Sequence, residues 1–580
     1  MICKPVLLKR GKAIKMRFPF IKPRLKSVEQ HRKPAISAAS SRNRVIIAMG
    51  CFIAVYSVIG GRLVQYGLTD IDQGRSYGSV DRNMAARPDL VDRNGVIMAS
   101  DIRVASLYGE PRRIIDPDEA VEALSTVLPD VDYKEWHRKL SSGAGFVWLR
   151  REITPKQQAQ VLALGIPGIG FRNETRRFYP GGPNTAHILG LVDIDNAGIS
   201  GIEKYIDNQG VGTLQELGLD VSAELPPVKL SIDAGVQHIV RDELVRAMEK
   251  YRAIAAGAVI LNANTGEVVA MSSVPDYDPN NPFNANDKDR LNRMAAGTYE
   301  MGSTFKAFTT AMALDSGKVT LNSRFDASKP IKIARFTIND FHGKKRVLTV
   351  PEVFIYSSNI GTAKMADVVG IDGHRAFLKK LGLLDMLKTE LPETARPLEP
   401  KEWKKLNSIT ISFGHGVTTT PLQTAMAAAA LVNGGKLINP TFLPRTKEQA
   451  DAISEQVISA KTSAEMRYLF RLNVEQGSGR NAEVEGFYMG GKTGTAEKVV
   501  NGRYSNDVRF NAFLAAFPID DPEYVILTII DEPKPEEGNY SATAGLNAAP
   551  MVEAIIRRSA SLLGIQPKFY TDREALQVSY

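Results

Sequence analysis

The sequence predicts an α+β protein: a single N-terminal transmembrane helix, a mixed α/β pedestal, and a larger C-terminal domain built on one sheet flanked by helices. Three observations predict it. Residues 45–61 (VIIAMGCFIAVYSVIGG) are a charge-free apolar run behind a basic tail. Residues 226–563 carry two strand patterns at their start and three near their end, with helical sequence between, so both ends close one sheet. Inside the helical stretch, Gly302-Ser303-Thr304-Phe305-Lys306 opens an apolar run through Ala311, Met312, Ala313 and Leu314.

The tail, residues 1–44, holds thirteen lysines and arginines against one acid, Glu29. The net charge of +9 is therefore concentrated there, and the other 536 residues sum to about −3. A body of that charge offers no nucleic-acid surface. Counted through Leu63, Val64 and Tyr66, the apolar run reaches 22 residues, with Arg62 placed to snorkel. The tail is long for a secretory n-region, and Gly60-Gly61-Arg62 is not an A-x-A-like cleavage site. The positive-inside rule then puts residues 1–44 in the cytoplasm, an uncleaved anchor at 45–66, and the rest beyond the membrane.

Residues 67–225 form the pedestal. Asp92-Arg93-Asn94-Gly95 reads as a turn between extended segments, because Asn-Gly readily adopts positive φ. Thr154-Pro155-Lys156-Gln157 reads as a helix start with an N-cap and a first-turn proline. His187 lies among Ala, Ile and Leu with no nucleophile nearby and reads as structural.

Pro226-Pro227 opens the larger domain, 226–563, which leaves 564–580 as a C-terminal tail. Residues 229–233 read as a short strand and 234–252 as an amphipathic helix with Val236, Ile239, Val240, Leu244 and Met248 as its stripe. Residues 257–261 and 267–271 flank a Gly-containing hairpin loop. The late strands fall at 489–499, 509–517 and 524–530, with Asn501-Gly502 as a tight turn.

Ser303 and Lys306 are three apart, so on a helix they share one face. A serine hydroxyl needs an adjacent base to become a nucleophile, and lysine serves only if burial or a neighbouring cation neutralises it. The first turn of a helix also favours developing negative charge. Ser357-Ser358-Asn359 follows 54 positions after Ser303, and Lys492-Thr493-Gly494 follows 189 positions after it. S-x-x-K, then S-x-N, then K-T-G is the ordered signature of penicillin-interacting serine enzymes, here with Ser358 where Asp is common. The only cysteines are Cys3 and Cys51, and the seven histidines lack metal-site spacing, so neither metal nor cofactor is expected.

From Asp92 to about residue 560 the chain resembles the class B penicillin-binding proteins, most closely the division (septal) type. Beyond the three motifs, Arg177-Phe178-Tyr179-Pro180, His187-Ile188-Leu189-Gly190 and Gly201-Ile202-Glu203 are similar to pedestal motifs of that family. Asn264-Thr265-Gly266-Glu267, Ser412-Phe413-Gly414-His415-Gly416 and Thr420-Pro421-Leu422-Gln423 are similar to its transpeptidase domain. Met301 departs from the usual proline and His415 from the common tyrosine.

The resemblance implies a five-stranded antiparallel sheet and a periplasmic D,D-transpeptidase of the bacterial inner membrane that cross-links peptidoglycan stem peptides and is the target of β-lactams. Ser303 would be the nucleophile and Lys306 its base. Ser357 and Asn359 would sit on a loop at the cleft edge, relaying the proton and hydrogen-bonding the donor peptide, and Lys492 would supply positive charge. Gly494 would leave room for substrate, while Thr493 and Thr495 would bind its carboxylate. The backbone N–H groups of Ser303 and Thr495 would form the oxyanion hole. The anchor and pedestal would bind a polytopic membrane glycosyltransferase that polymerises lipid-linked precursor, along with other division proteins; Gly60-Gly61 would let a partner helix approach closely.

Two rival readings remain at this level. A β-lactamase or D,D-carboxypeptidase would resolve the acyl-enzyme with water, and Glu402 with Leu406-Asn407 is similar to the E-x-x-L-N loop of class A β-lactamases, though one residue too long. A non-catalytic β-lactam sensor would also keep an acylable serine but leaves a division-type pedestal without explanation.

Overall fold

The computed structural model describes residues 49–50, 56–57, 59, 87–209, 225–333, 336–500 and 503–569. The predicted basic tail, most of the predicted anchor and the Asn501-Gly502 turn lie outside the described residues. The described positions of the anchor are helical. Among the described residues no helix is long and apolar enough to cross a membrane. The chain divides into two compact units, Met1–Asp81 and Arg82–Tyr580. Residues 82–225 of the predicted pedestal and the whole of the predicted catalytic domain fall in the second, while 67–81 fall in the first.

The pedestal sheet contains β1 (Leu90–Val91), β2 (Ile97–Gly109), β3 (Val147–Ile153), β4 (Ile169–Phe178) and β5 (Val228–Lys229). The order is β3-β2-β1-β5, with β4 also on β2. The sheet is mixed: β5 runs parallel to β1, while the other pairs are antiparallel. This corrects the reading of 229–233 as a strand of the catalytic domain. The strand is two residues long and joins the pedestal, and the chain then crosses over, with Ser231 N donating to Phe442 O and Asp233 N to Val269 O. Hydrogen bonds to two separate sheets compete for this segment, and periodicity cannot choose between them.

The predicted pedestal motifs carry the joint. Asp92 accepts from Asn94 N and Val96 N through one carboxylate oxygen and from Ala234 N, at a helix start, through the other. Arg93 reaches Glu267 at 2.9 Å, and Asn94 reaches Asp233 at 2.9 Å. Arg177 is buried between Glu203 at 2.7 Å and Asp101 at 3.1 Å, with Arg87 on the other oxygen of Glu203. Charges are tolerated in such a place because each is paired and hydrogen-bonded. Thr154 and Gln157 form a reciprocal capping box on the helix Pro155–Ala163.

In the catalytic domain β6 (Ala255–Asn262) and β7 (Val268–Val274) form the predicted hairpin. Three short ribbons follow: β8 (Arg324–Asp326) with β11 (Val347–Thr349), β9 (Ile331–Ile333) with β10 (Phe336–Ile338), and β12 (Lys436–Leu437) with β13 (Glu455–Gln456). The late strands are β14 (Gly490–Val500), β15 (Arg503–Phe517) and β16 (Tyr524–Asp531). The five long strands make one antiparallel sheet in the order β14-β15-β16-β6-β7, as their two-plus-three distribution predicts.

Alternate residues of this sheet face two cores. Ala258, Ile260, Phe513 and Ile526 pack with the helices Ala234–Tyr251 and Ala548–Ser559. Val259, Leu261, Leu514 and Leu527 pack with the helices Phe305–Asp315 and Pro421–Val432. The helix Phe305–Asp315 is buried from Phe305 through Leu314, which is why its sequence is apolar nearly all round.

Candidate active site

Ser303 sits in a single 3-10 turn, Gly302–Thr304, that runs into the helix Phe305–Asp315. It therefore precedes the α-helix rather than lying within it. Thr304 donates its hydroxyl to Met301 O at 2.8 Å, which tightens the turn. Two backbones press on this turn. A Cβ on Gly414 would stand 1.9 Å from Gly302 O, and one on Gly494 would stand 2.5 Å from Met301 O. The first contact explains the glycine of Ser412-Phe413-Gly414. The second corrects the expectation for Gly494: its bare backbone lets β14 lie against the serine turn, and the space a side chain would take is already filled by protein.

Behind the turn stand two buried lysines. Lys306 Nζ donates to Ser357 O at 2.5 Å and to Ser357 Oγ at 3.0 Å. Lys492, on β14, donates to the same Oγ at 3.1 Å and to Thr493 O at 3.3 Å. Burial holds the Lys306 ammonium well below the usual lysine range, the Lys492 charge lowers it further, and Asp340 opposes both. Burial brings Lys492 down to about 7. Two ammonium groups around one hydroxyl in a dry site cannot both keep their charge cheaply, so the pair favours a neutral amine. Ser357 holds φ of 54°, an uncommon backbone for a non-glycine residue of the kind that collects at functional sites.

The other predicted site residues divide. Asn359 is the first residue of the helix Asn359–Val369, and its side-chain N–H donates to Asn339 O at 2.9 Å. Its hydrogen bond thus points to the β10–β11 loop and not to the lysines. Thr493 Oγ1 lies 2.5 Å from Ser478 Oγ, and Thr495 Oγ1 accepts from Ala544 N at 3.1 Å. A threonine hydroxyl that accepts in this way keeps its own proton for a further acceptor. Lys492, Gly494 and Ala496 share one side of β14, with Thr493 and Thr495 on the other. As the edge strand, β14 leaves part of its backbone free of ladder partners.

Asp340 and Glu300 have no motif to announce them, and His415 is marked only as a departure from the common tyrosine. Asp340 accepts from Ser358 Oγ at 2.7 Å and from Ile360 N at 2.9 Å. Glu300 accepts from Gly416 N at 2.7 Å and from the Tyr504 hydroxyl at 3.1 Å, and burial raises its pKa. His415 packs edge-on against Tyr504, and burial, then the Lys306 charge, lowers its pKa. Glu402, the residue of the hydrolase reading, is exposed and pairs with Lys404 at 3.2 Å. His187 is half-buried with Nε2 on Arg290 O at 2.6 Å, as a structural histidine would be. Among the described residues no group of three or more His, Cys, Asp or Glu side chains is placed to hold a metal ion.

Comparison with known proteins agrees with this geometry. Residues 256–557 match the penicillin binding protein transpeptidase domain, and residues 82–215 match the penicillin-binding protein dimerisation domain. The chain is similar to a probable peptidoglycan D,D-transpeptidase FtsI of Caulobacter vibrioides, 38% identical over 93% of this chain and 92% of the relative. It is also similar to a probable peptidoglycan D,D-transpeptidase PenA of Neisseria gonorrhoeae, 32% identical over 94% of this chain and 97% of the relative.

Proposed function

The chain belongs to the penicillin-binding proteins with a transpeptidase domain, and from that membership we propose that it is a serine D,D-transpeptidase that cross-links peptidoglycan stem peptides during septal wall synthesis. The observation that carries the mechanism is the shared hydroxyl of Ser357, within 3.0 Å of Lys306 Nζ and 3.1 Å of Lys492 Nζ. Lys306 in its neutral form takes the Ser303 proton, and Ser303 Oγ attacks the carbonyl of the penultimate D-alanine. The tetrahedral oxyanion is held by the backbone N–H groups of Ser303 and Thr495. The C–N bond breaks, and the leaving D-alanine nitrogen receives a proton through Ser357, which either lysine can resupply.

The terminal carboxylate of the donor peptide fits the free O–H proton of Thr495, with Thr493 beside it on the same side of β14 and Lys492 as the nearby charge. Asn359 orders the cleft edge by tying the helix start to the β10–β11 loop. The acyl-enzyme ester is then resolved by the amine of a neighbouring stem peptide, which forms the cross-link and frees Ser303. A β-lactam enters by the same first step and remains as the ester. The exposed, lysine-paired Glu402 gives no support to a hydrolytic water held as in class A β-lactamases.

The remaining assignments follow the sequence. Residues 1–44 are cytoplasmic, 45–66 anchor the chain in the bacterial inner membrane, and pedestal and catalytic domain stand in the periplasm. Anchor and pedestal bind a polytopic glycosyltransferase of the division machinery. Replacing 45–66 by an unrelated single-span anchor should leave penicillin labelling intact while co-purification with the glycosyltransferase or division fails; full complementation would reduce the anchor to a tether.

The direct test of the enzyme is mass spectrometry of the penicillin adduct together with a donor–acceptor cross-linking assay. The adduct should fall on the Ser303 peptide, and Ser303→Ala should abolish it while stability changes by less than about 1 kcal/mol. An adduct on another serine, or labelling without any cross-linked product, would overturn the assignment.

A further inference from the structure

The β10–β11 loop, residues 339–346, is held at both ends beside the reacting groups. At its start Asn339 O accepts from the Asn359 side chain, and the Asp340 carboxylate accepts from Ser358 Oγ and Ile360 N. The loop is thereby pinned to the helix start that follows Ser357. At its end Arg346 pairs with Glu352 at 2.6 Å. Between these pins the chain turns through Lys345, at φ of 53°. Lys344 Nζ stands 4.7 Å from the centre of the Tyr356 ring, and the Arg346 guanidinium lies 6.0 Å from the same ring. Tyr356 is the residue before Ser357, whose hydroxyl Lys306 and Lys492 share.

The loop is short of negative charge. Lys344, Lys345 and Arg346 are consecutive and exposed. Glu352 answers Arg346, and Asp340 is spent on the helix start. Among the described residues neither Lys344 nor Lys345 has an ion-pair partner. Two cations on one ring repel each other, and an anion placed between them and Lys345 would relieve that repulsion. Phe341, on the same loop, is 72% exposed and packs edge-on against His342, which adds apolar surface to the cationic edge.

The reaction says which anion comes there. The leaving D-alanine nitrogen takes its proton through Ser357. The amine that resolves the ester forms the same kind of C–N bond in reverse, so it arrives where that nitrogen departed, beside Ser357. The peptide that carries it therefore enters next to Tyr356 and the loop. The donor's terminal carboxylate is placed elsewhere, at Thr495 on the side of β14 away from Lys492. Stem peptides carry carboxylates along the chain as well as at its end, and those of the second peptide have no other partner. We propose that the β10–β11 loop is the binding edge for the acceptor stem peptide, with Lys344 and Lys345 pairing its carboxylates and Phe341 packing on its apolar atoms. This rests on the cross-linking reading above.

The test uses the full-length chain in detergent, a D-alanyl thioester as donor, and two acceptor peptides, one with free carboxylates and one with them amidated. Changing Lys344→Ala and Lys345→Ala together should raise the KM for the carboxylate acceptor about tenfold at unchanged kcat, as two exposed ion pairs allow. Lys344→Arg with Lys345→Arg keeps both charges and should keep the wild-type KM. The amidated acceptor should show the raised KM already in the wild type, with no further change in the alanine variant. Added salt should narrow the difference between the two acceptors. Penicillin labelling and acylation by the donor should be equal in all three proteins, which reports that they fold. Equal KM for both acceptors in the wild type overturns the proposal. Slower acylation in the alanine variant also overturns it, since the loop would then serve the donor step. No cross-linked product from either acceptor, with acylation intact, would instead strike the enzymatic reading, so the two failures are distinguishable.

Discussion

The hydroxyl of Ser358 donates to the Asp340 carboxylate at 2.7 Å and accepts from Gly361 N at 2.9 Å. The middle residue of the S-x-N motif is therefore a helix N-cap, a place where Ser and Asp serve equally well. In this chain Asp340 already holds the carboxylate, since it also accepts from Ile360 N. Ser358→Asp, though it restores the commoner residue, would set two carboxylates against each other. It should cost on the order of 2 kcal/mol. Asp340→Asn should recover most of that loss in the double variant. Equal melting temperatures for wild type and Ser358→Asp would contradict this account.

Lys306 and Lys492 share a hydroxyl but differ in work. Lys306→Arg should cut acylation by about 10²–10⁴-fold, because a guanidinium cannot accept the serine proton at physiological pH. Lys492→Arg keeps a positive charge and should lose less. Stopped-flow acylation by a chromogenic β-lactam measures both, and equal losses would remove the distinction.

The pKa of Lys492 makes stability depend on pH in a stated direction. Its ammonium is free to hold a proton in the unfolded chain up to the ordinary lysine range but gives it up at about 7 in the fold. Between about pH 7 and 10 the unfolded state binds more protons, so stability rises with pH, at most by about 1.4 kcal/mol per unit. Below pH 7 this contribution is flat. Denaturant unfolding of wild type and Lys492→Met at several pH values should show their difference growing in favour of wild type above pH 7. A difference constant with pH would mean that Lys492 is charged throughout.

Gly494→Ala inserts a methyl 2.5 Å from Met301 O and 2.7 Å from Thr304 Cγ2. Neither the carbonyl nor the helix start behind it can retreat far, so the variant should lose about 1–3 kcal/mol and acylate slowly by displacing Ser303. If glycine were there to admit substrate, stability would be unchanged and only peptide binding would weaken. Thermal melts beside labelling rates separate the two.

Much of this protein is written in local sequence. The strand-like runs read at 257–261, 267–271, 489–499, 509–517 and 524–530 correspond to the five strands of the catalytic sheet, and the turn Asp92-Arg93-Asn94-Gly95 and the cap at Thr154 follow from short-range chemistry alone. The order Ser303, Lys306, Ser357, Lys492 likewise marked the residues around the serine turn, because serine chemistry needs a base and a charge whatever the fold. Other features depend on partners far along the chain. That Ser357 Oγ is shared by two lysines, that Asp340 sits under Ser358, that Gly494 is needed for backbone contact, and that 228–229 joins the pedestal sheet all depend on segments tens to hundreds of residues apart. Periodicity reports which face of an element is buried but carries no information on what is buried against it. The pKa of Lys306 shows the consequence: its identity is in the sequence, but the desolvation and the second ammonium that let it act as a base arise only when the helix, β14 and the Ser357 loop close on one another.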